Sequence, residues 1–455
     1  MKQTSAMKRS IVRSLAFLSL ALADASGVAA TIADPVAPAA DQTELKGDFT
    51  LLLAGDLLGP YDTSIARQAP AFRQVADLVR QADAAFANQE GASFDLTSYK
   101  GSIAAENGGG YPIHTLETMR EIRAMGFNLL SRANNHSTDW GIEGMTATDQ
   151  AVTAIGFTHS GTGQSLELAR KPGILVTDKG NVALISTAST FPGMSPAGDP
   201  ARGAGPRPGL NPLRVEPVTL VTRNEMQALR AIVLRGGYQG YDLPGTQARE
   251  VHLNDKLFRV AEKPGLTYDV SKKDRAALLA SVATARNQAG LVLFSIHAHE
   301  TLSGRYEDPL PADFLPPLFH DAIDAGAAVV ARHGPHSVQG IEIYKGKPIF
   351  YGLGHFFFDL PKTLTIASEG PHTQTVTLPD LWWESAIATL RYKSGGLTEI
   401  RVYPLVIEEA KGVSGLPRLA TGEQARTILT RIKKLSAPYG TRMAITGDVG
   451  IIDSF

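Results

Sequence analysis

The chain has 455 residues, 43% of them hydrophobic, a formal net charge of −1 and no cysteine. That length allows one large domain or two to three ordinary ones, and the apolar share supports a sizeable core. The near-zero charge and the lack of a Lys/Arg-rich run argue against a nucleic-acid partner or membrane-surface binding. The missing cysteine excludes disulfides, thiolate metal sites and a cysteine-linked lipid anchor.

Residues 1–30 read as a secretory signal peptide. Lys2, Lys8, Arg9 and Arg13 form a positive start, LAFLSLALA (15–23) is an apolar run, and GVAA (27–30) offers small residues for cleavage. The apolar run is too short to span a bilayer. An uncleaved anchor is the alternative. No later run is long and charge-free enough to cross a membrane, so an exported protein, periplasmic or extracellular and without a membrane span, is expected. Residues 31–47 are Ala/Pro/Asp-rich without a period and read as a flexible linker.

The mature chain then alternates strands and helices. FTLLLAGD (49–56) predicts a buried strand ending in a carboxylate, and 70–83 predicts a helix with Phe72, Val75, Ala76 and Val79 on one face. AAFANQE (84–90) predicts a strand ending in Glu90, 116–126 a helix stopped by Gly126, and 127–131 a third strand. A helix is expected over 142–156, closed by glycine. Later come a helix (272–290), a strand (291–300), a helix (315–326), a strand (327–336) and a β-hairpin (340–352) turning at Lys-Gly-Lys. Residues 190–270, rich in Gly and Pro, are not placed. The pattern predicts an α/β fold with helices layered on a sheet. One domain is expected over 48–410, with 411–455 as an extension packed on it.

The polar residues sit where the strands end. Asp56, Glu90, Asn135, His297 and the pair His333 and His336 each fall at the C-terminal end of a predicted strand, the edge where α/β sheets bind ligands. Any one of them alone fits a turn, a cap or a core histidine. Six of the eleven histidines lie between 297 and 355. Imidazole and carboxylate suit a borderline divalent metal such as Mn, Fe or Zn. A glutamate flanked by Asp and by Asn/His suits two ions, a pair that activates water and clamps an oxyanion. His136 would then stay free to donate a proton to a leaving group.

On AGD (54–56), ANQEG (87–91), RANNHSTDWG (132–141), SIHAHE (295–300) and HGPHSVQGIEIYKGKPIFYGLGHFFFD (333–359), the chain resembles the CapA family. That family is named for poly-γ-glutamate capsule synthesis and lies within the calcineurin-like metallophosphoesterase superfamily. The resemblance runs from about residue 49 to about 360. It implies a layered β-sandwich flanked by helices, metallo-dependent phosphatase-like, with the hairpin toward its C-terminal end. It implies metal ligands at Asp56, Glu90 (bridging), Asn135, His297, His333 and His336, and a substrate contact at His136.

The departures are specific. The histidine usual two residues after the first aspartate is Leu58, a change common in this family. The usual GHHPH reads RHGPH (332–336), so Gly334 stands for the middle histidine. His299, two residues beyond His297, would share its face and can compensate. His355 replaces the asparagine of LGNF, as a further ligand or as a hydrogen-bonded group behind the ligands; the second is preferred, because metal sites rely on outer partners. Arg332 is expected to meet an anionic substrate, with a solvated surface arginine as the alternative. Asn134 and Asp139 are expected to support the loop, Asp139 equally as a helix cap.

A metal-dependent hydrolase of anionic small-molecule or polymer substrates leads. An accessory protein that binds an anionic polymer without hydrolysis, and metal-assisted proton transfer beside a carbonyl, remain the alternatives.

Overall fold

The computed structural model describes residues 43–59, 69–236, 249–253, 256–367 and 373–455. The signal-peptide reading, and the linker up to residue 42, lie outside these residues. Residues 43–47 are not linker: the Leu45 side chain is buried in the core, and Lys46 N donates to Lys179 O. An apolar side chain inserted between sheets holds what the composition alone would leave free.

Two sheets form the body. The first is built on β1 (Asp48–Leu58), with β2 (Ala84–Gln89), β3 (Leu129–Ser131) and β4 (Thr158–Ser160) added in parallel on one side. The second contains β5 (Gly173–Thr177), β6 (Gly180–Ala188), β7 (Leu291–His297), β8 (Val329–His333), β9 (Ile341–Tyr344) and β10 (Lys347–Phe350). Its strand order is β9-β10-β8-β7-β6-β5, parallel except at the two edge pairs. The hairpin expected at 340–352 is the antiparallel β9–β10 pair. On its other side β1 meets β11 (His355–Phe358) in parallel and β12 (Glu384–Lys393) antiparallel, and β12 pairs with β13 (Gly396–Ile407).

Alternation along the strands decides the layers. Leu51 and Leu53 of β1 share one core with Leu184 and Leu293 of the second sheet, so the sheets pack face to face. Leu52 and Ala54 point the other way, onto Phe72, Val75, Val79, Met119, Ile122 and Val152. Those belong to α1 (Pro70–Arg80), α2 (Leu116–Ala124) and α3 (Gly141–Ile155), which cover the first sheet. Gly156 closes α3 in the left-handed conformation, φ 97°, which costs glycine little. Val292, Phe294 and Ile296 of β7 face α4 (Lys272–Arg286) and α5 (Leu315–Ala325) through Leu278, Val282, Leu315 and Phe319. The result is a helix–sheet–sheet–helix sandwich.

Beyond residue 410 the chain returns to the first sheet. Strands 417–419 and 449–452 pair with β13, and α6 (Gly422–Ser436) adds Ile428, Leu429 and Ile432 to the inner core. The stretch left unplaced by sequence holds a separate small sheet, ordered 250–253, 256–260, 215–221, 265–270. Its strands are short and half-exposed, which is why no clear period marks them. Among the described residues no helix is long and apolar enough to cross a membrane.

Candidate metal centre

The strand ends of both sheets meet at one buried place. Asp56 lies on β1, two residues before its end, and is the Cα partner of His355 on β11. Gly55 permits this approach, since a Cβ there would lie 1.7 Å from Gly354 O. Glu90 follows β2, and the turn after β3 carries Asn134, Asn135 and His136. His297 and His333 are the last residues of β7 and β8 and are register partners.

The turn is laced by its own side chains. His136 N donates to Asn134 Oδ1 at 3.1 Å, and Asn134 Nδ2 donates to Asn88 Oδ1 and Gln89 O at 3.0 and 2.7 Å. Asn135 Nδ2 donates to Gly108 O at 2.7 Å, and Gly108 N donates to Asp139 Oδ1 at 2.8 Å. Asp139 Oδ2 is 2.6 Å from His136 Nδ1, leaving Nε2 directed toward Glu90 Oε1 at 3.9 Å. Asn134 and Asp139 thus hold the loop, while Asn135 Oδ1 and His136 Nε2 remain available.

The ligand-type atoms form three overlapping groups. Asp56, His297 and His333; Asp56, His336 and His355; and Glu90, His297 and His299 each place one donor atom within 4.8 Å of the others. His297 Nε2 is 2.8 Å from His299 Nε2 and 3.7 Å from Glu90 Oε1. His336 Nδ1 is 2.8 Å from His355 Nε2. All these residues are buried except His299, which is partly exposed.

Residue types and burial together fit a cation. Both carboxylate oxygens of Glu90 and Asn135 Oδ1 are buried without a hydrogen-bond partner, a costly state unless a positive charge meets them. Burial lifts Asp56 to about 7, against hydrogen bonds from Asn88 and Gly334 that pull it down. Burial, then the charges of Asp56 and Asp139, raise Glu90 well above the carboxylate range. Burial lowers the imidazoles: His299 to about 3, His355 to about 4, and His297, His333 and His336 well below their usual value. They are therefore neutral, the form that ligates metal.

Gly334 explains the departure in RHGPH. At φ 107° it holds a backbone that L side chains rarely adopt, and a Cβ there would stand 2.6 Å from His299 Cδ2. His299 occupies the space that a longer residue at 334 would need. Leu58 packs with Phe358 and Trp383 in a separate apolar cluster.

Arg332 is a correction. It was expected to contact substrate, but its side chain is buried and donates to Ala298 O, Gln339 Oε1 and Glu300 O at 2.9, 2.9 and 2.8 Å. It braces the loop that carries His299, and its donors are turned into the protein.

Three contributors were missed. Asn88 donates to Asp56 Oδ1 at 2.7 Å and stands 3.3 Å from His297 Nδ1, so it ties the two sheets together. Its position two residues before Glu90 on a strand was the available signal. Tyr306 lies with its hydroxyl 2.8 Å from His299 Nδ1 and its ring stacked on His336, and Trp382 packs on His336 with centroids 4.3 Å apart. Neither carries a local sequence signal.

A family model described as bacterial capsule synthesis protein PGA_cap matches residues 47–360. The chain is 35% identical over 439 residues to uncharacterized protein y4sH of Sinorhizobium fredii, covering 90% of this chain and 94% of that protein. It is 24% identical over 294 residues to the PGA biosynthesis protein CapA of Bacillus subtilis, covering 65% of this chain and 54% of that protein. A solved hypothetical protein from Thermus thermophilus aligns with 78% of this chain and 98% of its own, at 12% identity and TM-score 0.35.

Proposed function

The chain belongs to the PGA_cap family of bacterial capsule synthesis proteins, and we propose that this member is an exported, metal-dependent hydrolase of the metallophosphoesterase type. The substrate class is an anionic ester or an anionic polymer of the poly-γ-glutamate kind, the polymer context coming from the name of the Bacillus relative. The helix–sheet–sheet–helix layering and the chain order Asp, Glu, Asn-His, His, His support the metallophosphatase-like fold. Export is read from the positive, then apolar, then small-residue pattern of 1–30.

Asp56, Glu90, Asn135, His297, His333 and His336 would hold two divalent ions, with His299 beside them. What such a pair would supply is a lowered pKa for bound water and neutralisation of developing negative charge. The chain's own chemistry lies in His136. Its Nδ1 is fixed by Asp139, which leaves Nε2 to hold and deliver a proton to a leaving group. Burial of the donors excludes bulk water and strengthens each interaction.

The observation that carries this reading is Glu90: a buried carboxylate with no hydrogen-bond partner, facing His297 Nε2 and His136 Nε2. Leu58 favours the rival reading, an accessory polymer binder without hydrolysis. A binder, however, has little need of the His136–Asp139 pair.

The test is to purify the chain, measure bound metal, and assay a phosphomonoester, a phosphodiester and poly-γ-glutamate with and without added manganese. Hydrolysis that depends on manganese is expected. Asn135→Ala is expected to lower metal content, and His136→Ala mainly turnover. A chain that takes up no metal and stays inactive after reconstitution would overturn the proposal. Metal uptake with no hydrolysis would favour the binder or the proton-transfer reading.

A further inference from the structure

We infer that His355 is a metal ligand, supplying beside Asp56 the imidazole that position 58 lacks. The inference rests on the metal-dependent reading above. Five observations on His355 and its neighbours carry it.

The backbone delivers His355 to the site. It opens β11 and is the Cα partner of Asp56 in a parallel pairing, with Asp56 N donating to Gly354 O at 3.2 Å. The chain reaches by this crossing what Leu58, buried in its own apolar cluster, cannot provide.

The ring is held in one tautomer. His355 Nδ1 lies 3.1 Å from Trp382 O. A carbonyl only accepts, so the proton sits on Nδ1 and Nε2 carries a bare lone pair. Metal-binding histidines habitually give their other N–H to a carbonyl or carboxylate, which fixes the ring and raises its basicity. The ring plane is set as well, stacked on Phe358 with centroids 4.0 Å apart and 6° between planes.

That lone pair has company of the right kind. Nε2 is 2.8 Å from His336 Nδ1, and Asp56, His336 and His355 each offer one donor atom within 4.8 Å of the others. His336 holds φ 56°, uncommon for a residue with a side chain. Such strain persists where the surroundings over-determine it, commonly at functional sites.

The experiment uses the full purified chain, stripped with a chelator and reloaded with Mn2+ or Zn2+. Metal per chain is measured by mass spectrometry and affinity by calorimetry. The wild type is expected to take two ions. His355→Ala and His355→Asn should keep one at wild-type affinity and bind the other roughly 10-fold or more weakly. Asparagine retains a donor for Trp382 O, so it guards against simple misfolding, which thermal melting of the metal-free variants checks. Free imidazole should restore the second ion to His355→Ala, a rescue that a packing role would not give. Two ions at wild-type affinity in both variants would overturn the ligand assignment and leave the proposed function standing. A wild type that takes up no ion overturns both.

Discussion

Asp139 Oδ2 lies 2.6 Å from His136 Nδ1, so the turn that presents Asn135 also fixes the ring that faces Glu90. One carboxylate therefore links a candidate ligand loop to a candidate proton donor. Asp139→Asn keeps an oxygen for Gly108 N but no longer favours the same imidazole tautomer. Turnover is expected to fall by ~100-fold, the order of a general-acid contribution. Bound metal should stay at wild-type content. A variant that loses metal and activity together would reduce Asp139 to a purely structural role.

Metal uptake should depend on pH, with a sign set by Asp56. Burial raises its carboxyl to about 7, so below that pH a cation must displace a proton to bind. Glu90, also raised, works in the same direction. The imidazoles are held low and add no proton to displace near neutrality. Affinity for Mn2+ should thus rise from pH 6 to 7, by ~10-fold per pH unit for each proton displaced, and gain less above it. Calorimetric titration in buffers of different ionisation enthalpy reads the protons directly. No proton release at pH 6 would sink this account.

Gly334 should tolerate nothing larger. Its φ of 107° and the 2.6 Å approach of a Cβ to His299 Cδ2 mean that Gly334→Ala both strains the backbone and displaces a ring. A loss of about 1–3 kcal/mol in denaturant unfolding is expected, with weakened metal uptake. Unchanged stability and uptake would show that His299 has room to move.

Arg332→Met should separate bracing from binding. The variant leaves Ala298 O and Glu300 O without their charged donor. Stability is expected to fall by about 3 kcal/mol, since hydrogen bonds to charged groups are the stronger ones. KM for an anionic substrate should hold in the folded fraction. Intact stability with a raised KM would return Arg332 to the substrate.

Much of this was legible in the sequence, for local reasons. Buried strands declare themselves as apolar runs, and β1, β2 and β7 end within a few residues of where the runs end. Asp56, Glu90, His297 and His333 stood out only as a set, because several strand ends delivering carboxylate, amide and imidazole to one edge ask for more than the turn, cap or core histidine that each alone would fit. The destination of Arg332 was not legible. Nothing in RHGPH says whether a guanidinium faces solvent or the backbone of a loop more than thirty residues earlier in the chain. Asn88 hid beside Gln89 at the end of a short strand. Tyr306, in a turn, and Trp382, in a short 3-10 helix at 380–383, reach His336 from points far apart in the chain. The small sheet of 215–270 is half-exposed, so its pattern lacks the contrast that marks a core strand.

β12 has a consequence for any attempt to trim the protein. The family match ends at 360, yet residues 388–393 of β12 pair along β1 from Asp48 to Leu53. A fragment stopped at 360 would turn the strand that carries Asp56 into an open edge, with unpaired N–H and C=O groups and the apolar side chains Leu51 and Leu53 beneath them. Such an edge recruits other strands. The fragment that sequence similarity marks out as the domain would therefore be prone to aggregate, and its insolubility would say nothing about the metal centre.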